Sequence, residues 1–252
     1  EANMFLFADN DELFAKLREG NPGFDVIVPS DTYVARMIAA DMLEPLDYAL
    51  LPNSKNIAPA FPDAAYDPGH KHSVNYMWGT MGLGVRKSKT PDGVTSWGDI
   101  FESDKYAGRI AILSESSAMI GMASMYLGTG MNPDTSEKIN AAVDLLIKQK
   151  SAFKTIAEDN GQDLLLSGEV DITIEWSGDI GQVMLEDDDI DYVIPKEGSL
   201  IWADNLCIPK DAPHPMNAHK FINYILDPQV GALIADYIQY ATPNQAARAL
   251  LN

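Results

Sequence analysis

Phe24-Asp25-Val26-Ile27-Val28-Pro29-Ser30-Asp31 is an apolar run stopped by proline and followed at once by two helix-capping residue types. It reads as a buried strand that hands over to a helix whose inward face is Val34, Met37 and Ile38. Upstream, Met4 to Phe7 is apolar and strand-like. Asp9-Asn10-Asp11-Glu12 then caps a helix with Leu13, Phe14 and Leu17 on one face, ending at Gly20. Strand, helix, strand and helix in alternation predict an α/β fold, a sheet with crossover helices.

The pattern continues downstream. Residues 45–75 are rich in Pro, Asn, Asp and Gly and read as an irregular excursion. Tyr76 to Val85 is an extended apolar run carrying Gly79, Gly82 and Gly84, as for a segment in a tight place. Thr95 or Ser96 caps a short helix around Trp97 to Phe101, and Arg109 to Leu113 is a strand. Ser114 to Ser117 opens a Met-rich helix through Met119, Met122 and Tyr126. Plain capping or an anion cradle at a helix start both suit these serines. The strongest helical period spans 136–149, with Ile139, Ala142, Val143, Leu146 and Ile147 on its expected inner face. A helix through Phe221 and Ile225 follows, with His214 and His219 on its expected outer side, and Asp227-Pro228 starts another.

Two stretches carry the chemistry. Trp176-Ser177-Gly178-Asp179 and Trp202-Ala203-Asp204 each put an indole within three residues of a carboxylate at the exit of an apolar run. An aromatic face and a fixed negative charge suit an organic cation: the ring attracts the charge and methylenes, and the carboxylate takes the N–H donors. A buried core Trp beside a capping Asp is the plainer reading of either pair alone.

The charge agrees in sign. With 37 acidic and 18 basic residues among 252, the net charge is −19, a field that repels nucleic acid and anionic membranes and attracts cations. Hydrophobic content of 46% with 22% charged residues is ordinary for a globular chain. No apolar run reaches the roughly 18 residues of a membrane span. The start at Glu1 reads as a mature or trimmed form. The single Cys207 has no disulfide partner. No phosphate loop, dinucleotide fingerprint or G-x-S-x-G elbow is present. His70 and His72 sit in a Pro/Gly-rich loop, and the acidic run Glu186 to Asp189 lacks a calcium loop's spacing, so both read as solvated. Neither a nucleophile–base pair nor a metal motif points to an enzyme, a metal or a cofactor.

The order of segments resembles a known family. Asp25-Val26-Ile27-Val28-Pro29-Ser30, Tyr76-Met77-Trp78-Gly79, Thr95-Ser96-Trp97, Ser167-Gly168-Glu169-Val170, Trp176-Ser177-Gly178-Asp179, Pro195-Lys196-Glu197-Gly198, Trp202-x-Asp204 and Tyr240-x-Thr242-Pro243-Asn244 occur in sequence. The chain is similar to the spermidine/putrescine-binding proteins, the soluble receptors of ABC-type polyamine importers. The resemblance implies a two-lobed periplasmic-binding-protein fold (type II), with mixed sheets flanked by helices and two crossover strands, Trp78 to Leu83 and Ala203 to Ile208. Lobe 1 would be 1–81 plus 204–252 and lobe 2 would be 82–203, with the ligand in a cleft between them and the glycines serving a hinge. Ser30 and Thr32 would line one rim. Trp176 and Asp179 would project from the other lobe, and Trp202, Asp204 and Tyr240 would lie near the crossing. The aromatics would box the polymethylene chain and the aspartates anchor ammonium groups.

The resemblance further implies a periplasmic or lipid-anchored extracellular monomer, no cofactor, and an inner-membrane ABC permease as partner. Two departures stand out. The family's usual first strand and last helices are missing, as in a chain trimmed at both ends. Ala118 stands where the family commonly has a carboxylate, so Glu115 and Glu158 are the candidates to replace it. Counting only Asp179 and Asp204, the site suits a diamine such as putrescine better than spermidine. The alternatives are a receptor of the same fold for another small cationic or zwitterionic solute, the carboxylate of a zwitterion being held by the Ser114–Ser117 helix start, or an enzyme or sensor reusing the fold.

Overall fold

A computed structural model describes residues 2–7, 9–58 and 65–251. Along the chain come α1 (Asn10–Arg18) and α2 (Asp31–Ala39), then two 3-10 turns, Tyr48–Leu50 and Pro52–Asn56. The long strand β1 (Ser73–Arg86) leads to α3 (Gly98–Phe101), β2 (Ile110–Leu113), α4 (Ser116–Tyr126) and α5 (Ser136–Gln149). Next are β3 (Phe153–Ala157), α6 (Gly161–Leu166), β4 (Ile172–Trp176), α7 (Ser177–Met184) and β5 (Ile190–Val193). After these follow β6 (Ile201–Cys207), α8 (Pro215–Ile225), α9 (Pro228–Ile238) and α10 (Gln245–Arg248). The chain divides into two compact units. One is Glu1–Trp78, Trp202–Tyr237 and Ala241–Asn252; the other is Gly79–Ile201 with Ile238–Tyr240. Tyr240 thus goes with the second unit, away from its near neighbours in sequence.

The second unit is built on a mixed sheet in the order β3-β2-β4-β1-β5. β2 runs parallel to β3 and β4, while β1 runs antiparallel to β4 and β5. The register pairs Met81 with Trp176, Leu83 with Ile174 and Val85 with Ile172. Strand alternation sends these side chains to one face, where they pack with Trp97, Phe101, Met119 and Met122 in a buried cluster. Trp97 stacks on Phe101 at 5.7 Å and donates its indole N–H to the Gly198 carbonyl at 2.9 Å. The opposite face is covered by α6 and α7 through Leu165, Ile180 and Val183.

Gly82 and Gly84 of β1 make room for neighbouring side chains on that second face. A Cβ at Gly82 would lie 2.5 Å from the Tyr192 ring, and one at Gly84 2.5 Å from Ile180 Cδ1. Neither is among the residues with positive φ, so the strand needs the missing side chain, not unusual backbone freedom.

In the first unit, Ile27 and Cys207 exchange both backbone hydrogen bonds at 3.0 Å, and isolated bridges join Ser30 to Asp204 and Leu43 to Pro209. Val34, Met37, Leu13 and Leu17 close one core over Ile27 and Cys207. Leu46, Leu51, Val74, Leu206, Ile208 and Ile222 form a second. The strand expected at 24–29 is therefore a run with one paired residue, Ile27. Met4 to Phe7 forms no strand, and Met4, Phe5 and Leu6 are strongly exposed.

Other expectations shift for identifiable reasons. Of the irregular stretch 45–75, residues 59–64 lie outside the described residues. Its end is organised by Asp67, whose buried carboxylate accepts from the amides of Lys71, His72 and Ser73 and from the Ser73 hydroxyl. The buried face of α5 is Ala142, Leu145 and Gln149, rotated from the expected one, because the Gln149 amide reaches inward to the Ser103 carbonyl at 2.8 Å. Ile139 and Ile147 face out. His219 is buried instead of outward. Its Nε2 accepts from the Asp47 amide at 2.9 Å and its Nδ1 meets the Pro215 carbonyl at 2.7 Å. The acidic run is not merely solvated: Asp187 and Asp189 hold the Arg86 guanidinium at 2.9 and 3.4 Å.

Candidate functional site

The clearest set of acidic groups lies in the second unit, where β4 hands over to α7. Trp176 ends the strand and is the residue before the helix; Asp179 sits in the first helical turn, where the N-terminal dipole favours a carboxylate. Asp179 Oδ2 accepts from the Tyr240 hydroxyl at 2.8 Å. Gly178 makes room for that ring, since a Cβ there would lie 2.4 Å from Tyr240 Cδ2. Burial pushes Asp179 up to about 6; the Tyr240 hydrogen bond opposes this, while the negative charges of Asp159 and Asp163 add to it. Tyr240 is itself held well above the ordinary phenol range, by burial and then by Asp179.

Sequence reasoning passed over the residue next door. Glu175 has no exposed surface, and carboxylate oxygens of Asp159, Glu175 and Asp179 all lie within 4.8 Å of one another. Burial first, then the charges of Asp179 and Asp159, raise Glu175 to about 8, although the Trp176 amide donates to its Oε1 at 3.0 Å. Two unit charges at such a distance repel by roughly 3–4 kcal/mol at an effective dielectric constant of about 20. Glu175 is therefore the member that holds its proton at neutral pH. Tyr192 packs nearby, its hydroxyl 2.8 Å from Thr80 Oγ1, and is pushed up to about 12 by burial and then by Glu175.

The first unit carries its own acidic set. The Ser30–Asp204 bridge brings the start of α2 beside β6, and Trp202 and Asp204, two residues apart, share one strand face. Burial, then the charge of Asp31, raises Asp204 to about 7. Asp31 is also raised by burial, against hydrogen bonds from the Thr32 amide at 2.7 Å and the Ala203 backbone. Tyr76 is raised by burial and then by Asp204. Ser30 is half-buried; its amide donates to Asn10 Oδ1 at 3.1 Å. Thr32 is exposed and takes part through its backbone.

Thus Trp176, Asp179 and Tyr240 come together in one unit, and Ser30, Trp202 and Asp204 in the other. Glu115 and Glu158 join neither acidic trio nor pair: both are exposed, and Glu115 accepts from the Ser117 hydroxyl at 2.7 Å. That contact also corrects the serine-capping expectation, because Glu115 is the residue before α4 and no serine side chain caps it. Ala118 is buried in the core of its unit. Two further carboxylates, Glu175 and Asp159, stand beside Asp179. Among the described residues, no ion pair joins a Lys or Arg to Asp159, Glu175, Asp179, Asp31 or Asp204.

Comparison with known proteins gives a consistent result. The model of the bacterial extracellular solute-binding protein family matches residues 8–250. The spermidine/putrescine-binding periplasmic protein of Escherichia coli (strain K12) is 33% identical over 248 residues, 98% of this chain and 71% of its own length. The putrescine/agmatine-binding protein of Pseudomonas aeruginosa is 33% identical over 259 residues, 94% of this chain and 69% of its own. The TpPotD lipoprotein of Treponema pallidum is similar in structure, with a TM-score of 0.89 and 28% identity, covering 96% of this chain and 78% of that one. The fold is that of the periplasmic binding proteins, a mixed α/β architecture with an open sheet. No helix among the described residues is long and apolar enough to cross a membrane.

Proposed function

Because the chain belongs to the bacterial extracellular solute-binding family, whose members bind and deliver solutes rather than transform them, we propose that it captures a linear di- or polyamine outside the cytoplasm and delivers it to an ABC-type permease. The observation that carries this reading is a half-buried carboxylate in each unit, Asp179 and Asp204, each raised by burial and each lacking a Lys or Arg partner among the described ion pairs. Such a group is costly to ionise alone and gains most from a ligand that brings the missing positive charge.

In this reading Asp179 and Asp204 are the carboxylates that take ammonium groups. Trp176 and Trp202 offer ring faces to the adjoining methylenes, and Tyr240 fixes the Asp179 carboxylate by donating to Oδ2. Ser30 and Thr32 contribute at the start of α2. The names of the relatives, spermidine/putrescine-binding and putrescine/agmatine-binding, support the ligand class. Titration calorimetry with putrescine, spermidine and agmatine, against neutral and acidic amino acids, tests it. Saturable binding of an amine, recovered chemically unchanged, is expected; binding confined to a zwitterionic or acidic solute overturns the reading.

A further inference from the structure

We propose that Asp159, Glu175 and Asp179, together with the Thr173 hydroxyl, form a site for a hard divalent cation of calcium size. One carboxylate oxygen from each of the three acids lies within 4.8 Å of the others. Oxygen ligands at roughly 2.3–2.6 Å from a calcium ion stand up to about 4.6–5.2 Å apart across it, so separations within 4.8 Å fit inside such a shell. The donors are all oxygen, with no sulfur or imidazole, which selects a hard cation.

The trio does not stand alone. Glu175 Oε2 and Thr173 Oγ1 both belong to residues with no exposed surface, and neither atom has a well-formed hydrogen-bond partner, the Gly161 backbone giving Glu175 only a weak one. Buried polar atoms of this kind are uncommon and call for a partner. Both pack against Gly161 at the first position of α6, where a Cβ would lie 2.5 Å from Glu175 Oε2 and 2.4 Å from Thr173 Oγ1, so the two oxygens stand close to each other and only glycine fits beside them. Thr173 and Glu175, two residues apart on β4, share the face that α6 and α7 cover, while exposed Asp159 stands on the solvent side as an entry ligand. A single ammonium at Asp179 offsets one of three negative charges; a divalent ion offsets two. This inference goes beyond amine capture and does not depend on it, but Asp179 is common to both, so the two cations compete there.

Terbium, a luminescent stand-in for calcium, tests the site in the full chain, with excitation through Trp176, the residue after Glu175. Saturable emission that calcium displaces is expected. Glu175→Gln and Asp159→Asn should each weaken terbium binding tenfold or more. Asp204→Asn, in the other unit, should lose amine binding while its terbium titration stays that of the parent, which separates failure of one assignment from failure of the other. Should Glu175→Gln not fold, the exposed Asp159→Asn decides alone. Absence of saturable emission, or equal emission from the parent and both acidic variants, overturns the proposal. So does a Glu175→Gln protein that loses spermidine affinity but binds terbium as before.

Discussion

The Tyr240 hydroxyl donates to Asp179 Oδ2 at 2.8 Å, joining residues 61 apart in the chain, and Gly178 leaves the gap that the Tyr240 ring fills. The contact holds a half-buried carboxylate in one orientation, and Gln182 Nε2 donates to its Oδ1 at a longer 3.4 Å. A carboxylate so placed is pre-oriented for a cationic ligand.

Tyr240→Phe removes that donor and keeps the ring. The Asp179 carboxylate then loses its stabilising hydrogen bond, its pKa rises further, and amine affinity falls by about 1.5–3 kcal/mol, the range for a hydrogen bond to a charged group. Calorimetry of the variant against putrescine measures this. Unchanged affinity would mean that Tyr240 orients nothing the ligand uses.

Amine binding should be strongly pH-dependent. Asp179 and Asp204 titrate at about 6 and about 7, and only their ionised forms attract an ammonium. The ligand stays protonated throughout, so affinity is full above pH 8 and falls as protons compete for the carboxylates. The fall is roughly tenfold per site for each pH unit below its pKa. Dissociation constants from pH 5 to pH 8.5 check it, and a flat profile would remove both aspartates from the site.

Glu175 makes a separate prediction about stability. Its folded pKa, about 8, lies above the ordinary glutamate value of 4.5, so between those limits the folded chain binds more protons than the unfolded one. Stability of the ligand-free protein therefore decreases as pH rises through that window. Glu175→Gln removes the titration. Relative to the parent it should gain roughly 1–4 kcal/mol on going from pH 5 to pH 8. Urea unfolding at the two pH values measures the gain; a parent as stable at pH 8 as at pH 5, relative to the variant, would contradict it.

The indoles should report ligand. Trp176→Ala and Trp202→Ala should each cost about 0.5–2 kcal/mol of cation–π attraction, besides lost apolar contact. Indole emission should change on saturation with putrescine and change less in either variant.

Much of this was legible in the sequence, for physical reasons. The Trp-x-x-Asp and Trp-x-Asp stretches announce themselves because aromatic and carboxylate sit close in the chain, and the α5 period gave both helix ends. What lay hidden depends on contacts between distant segments. Glu175 looks like the polar member of an alternating strand, Ile172-Thr173-Ile174-Glu175-Trp176, and such a position usually meets water. Here α6 and α7 cover that face, so Glu175 and Thr173 are buried. Asp159, in a loop, reaches the same place only through the fold. His219 was misread for the same reason, since its partner Asp47 lies 172 residues away. The glycines of β1 were visible, but their purpose was not: the space at Gly82 is taken by Tyr192, far along the chain.

The central claim, that Asp179 and Asp204 are carboxylates that take ammonium groups, is tested most directly by calorimetry of putrescine against the parent, Asp179→Asn and Asp204→Asn proteins at pH 8. Asparagine keeps the shape and removes the charge. The account predicts saturable binding to the parent and a loss of about 2–5 kcal/mol in each variant, as for truncating one partner of a buried charge pair. Putrescine binding of equal strength in all three proteins would contradict it.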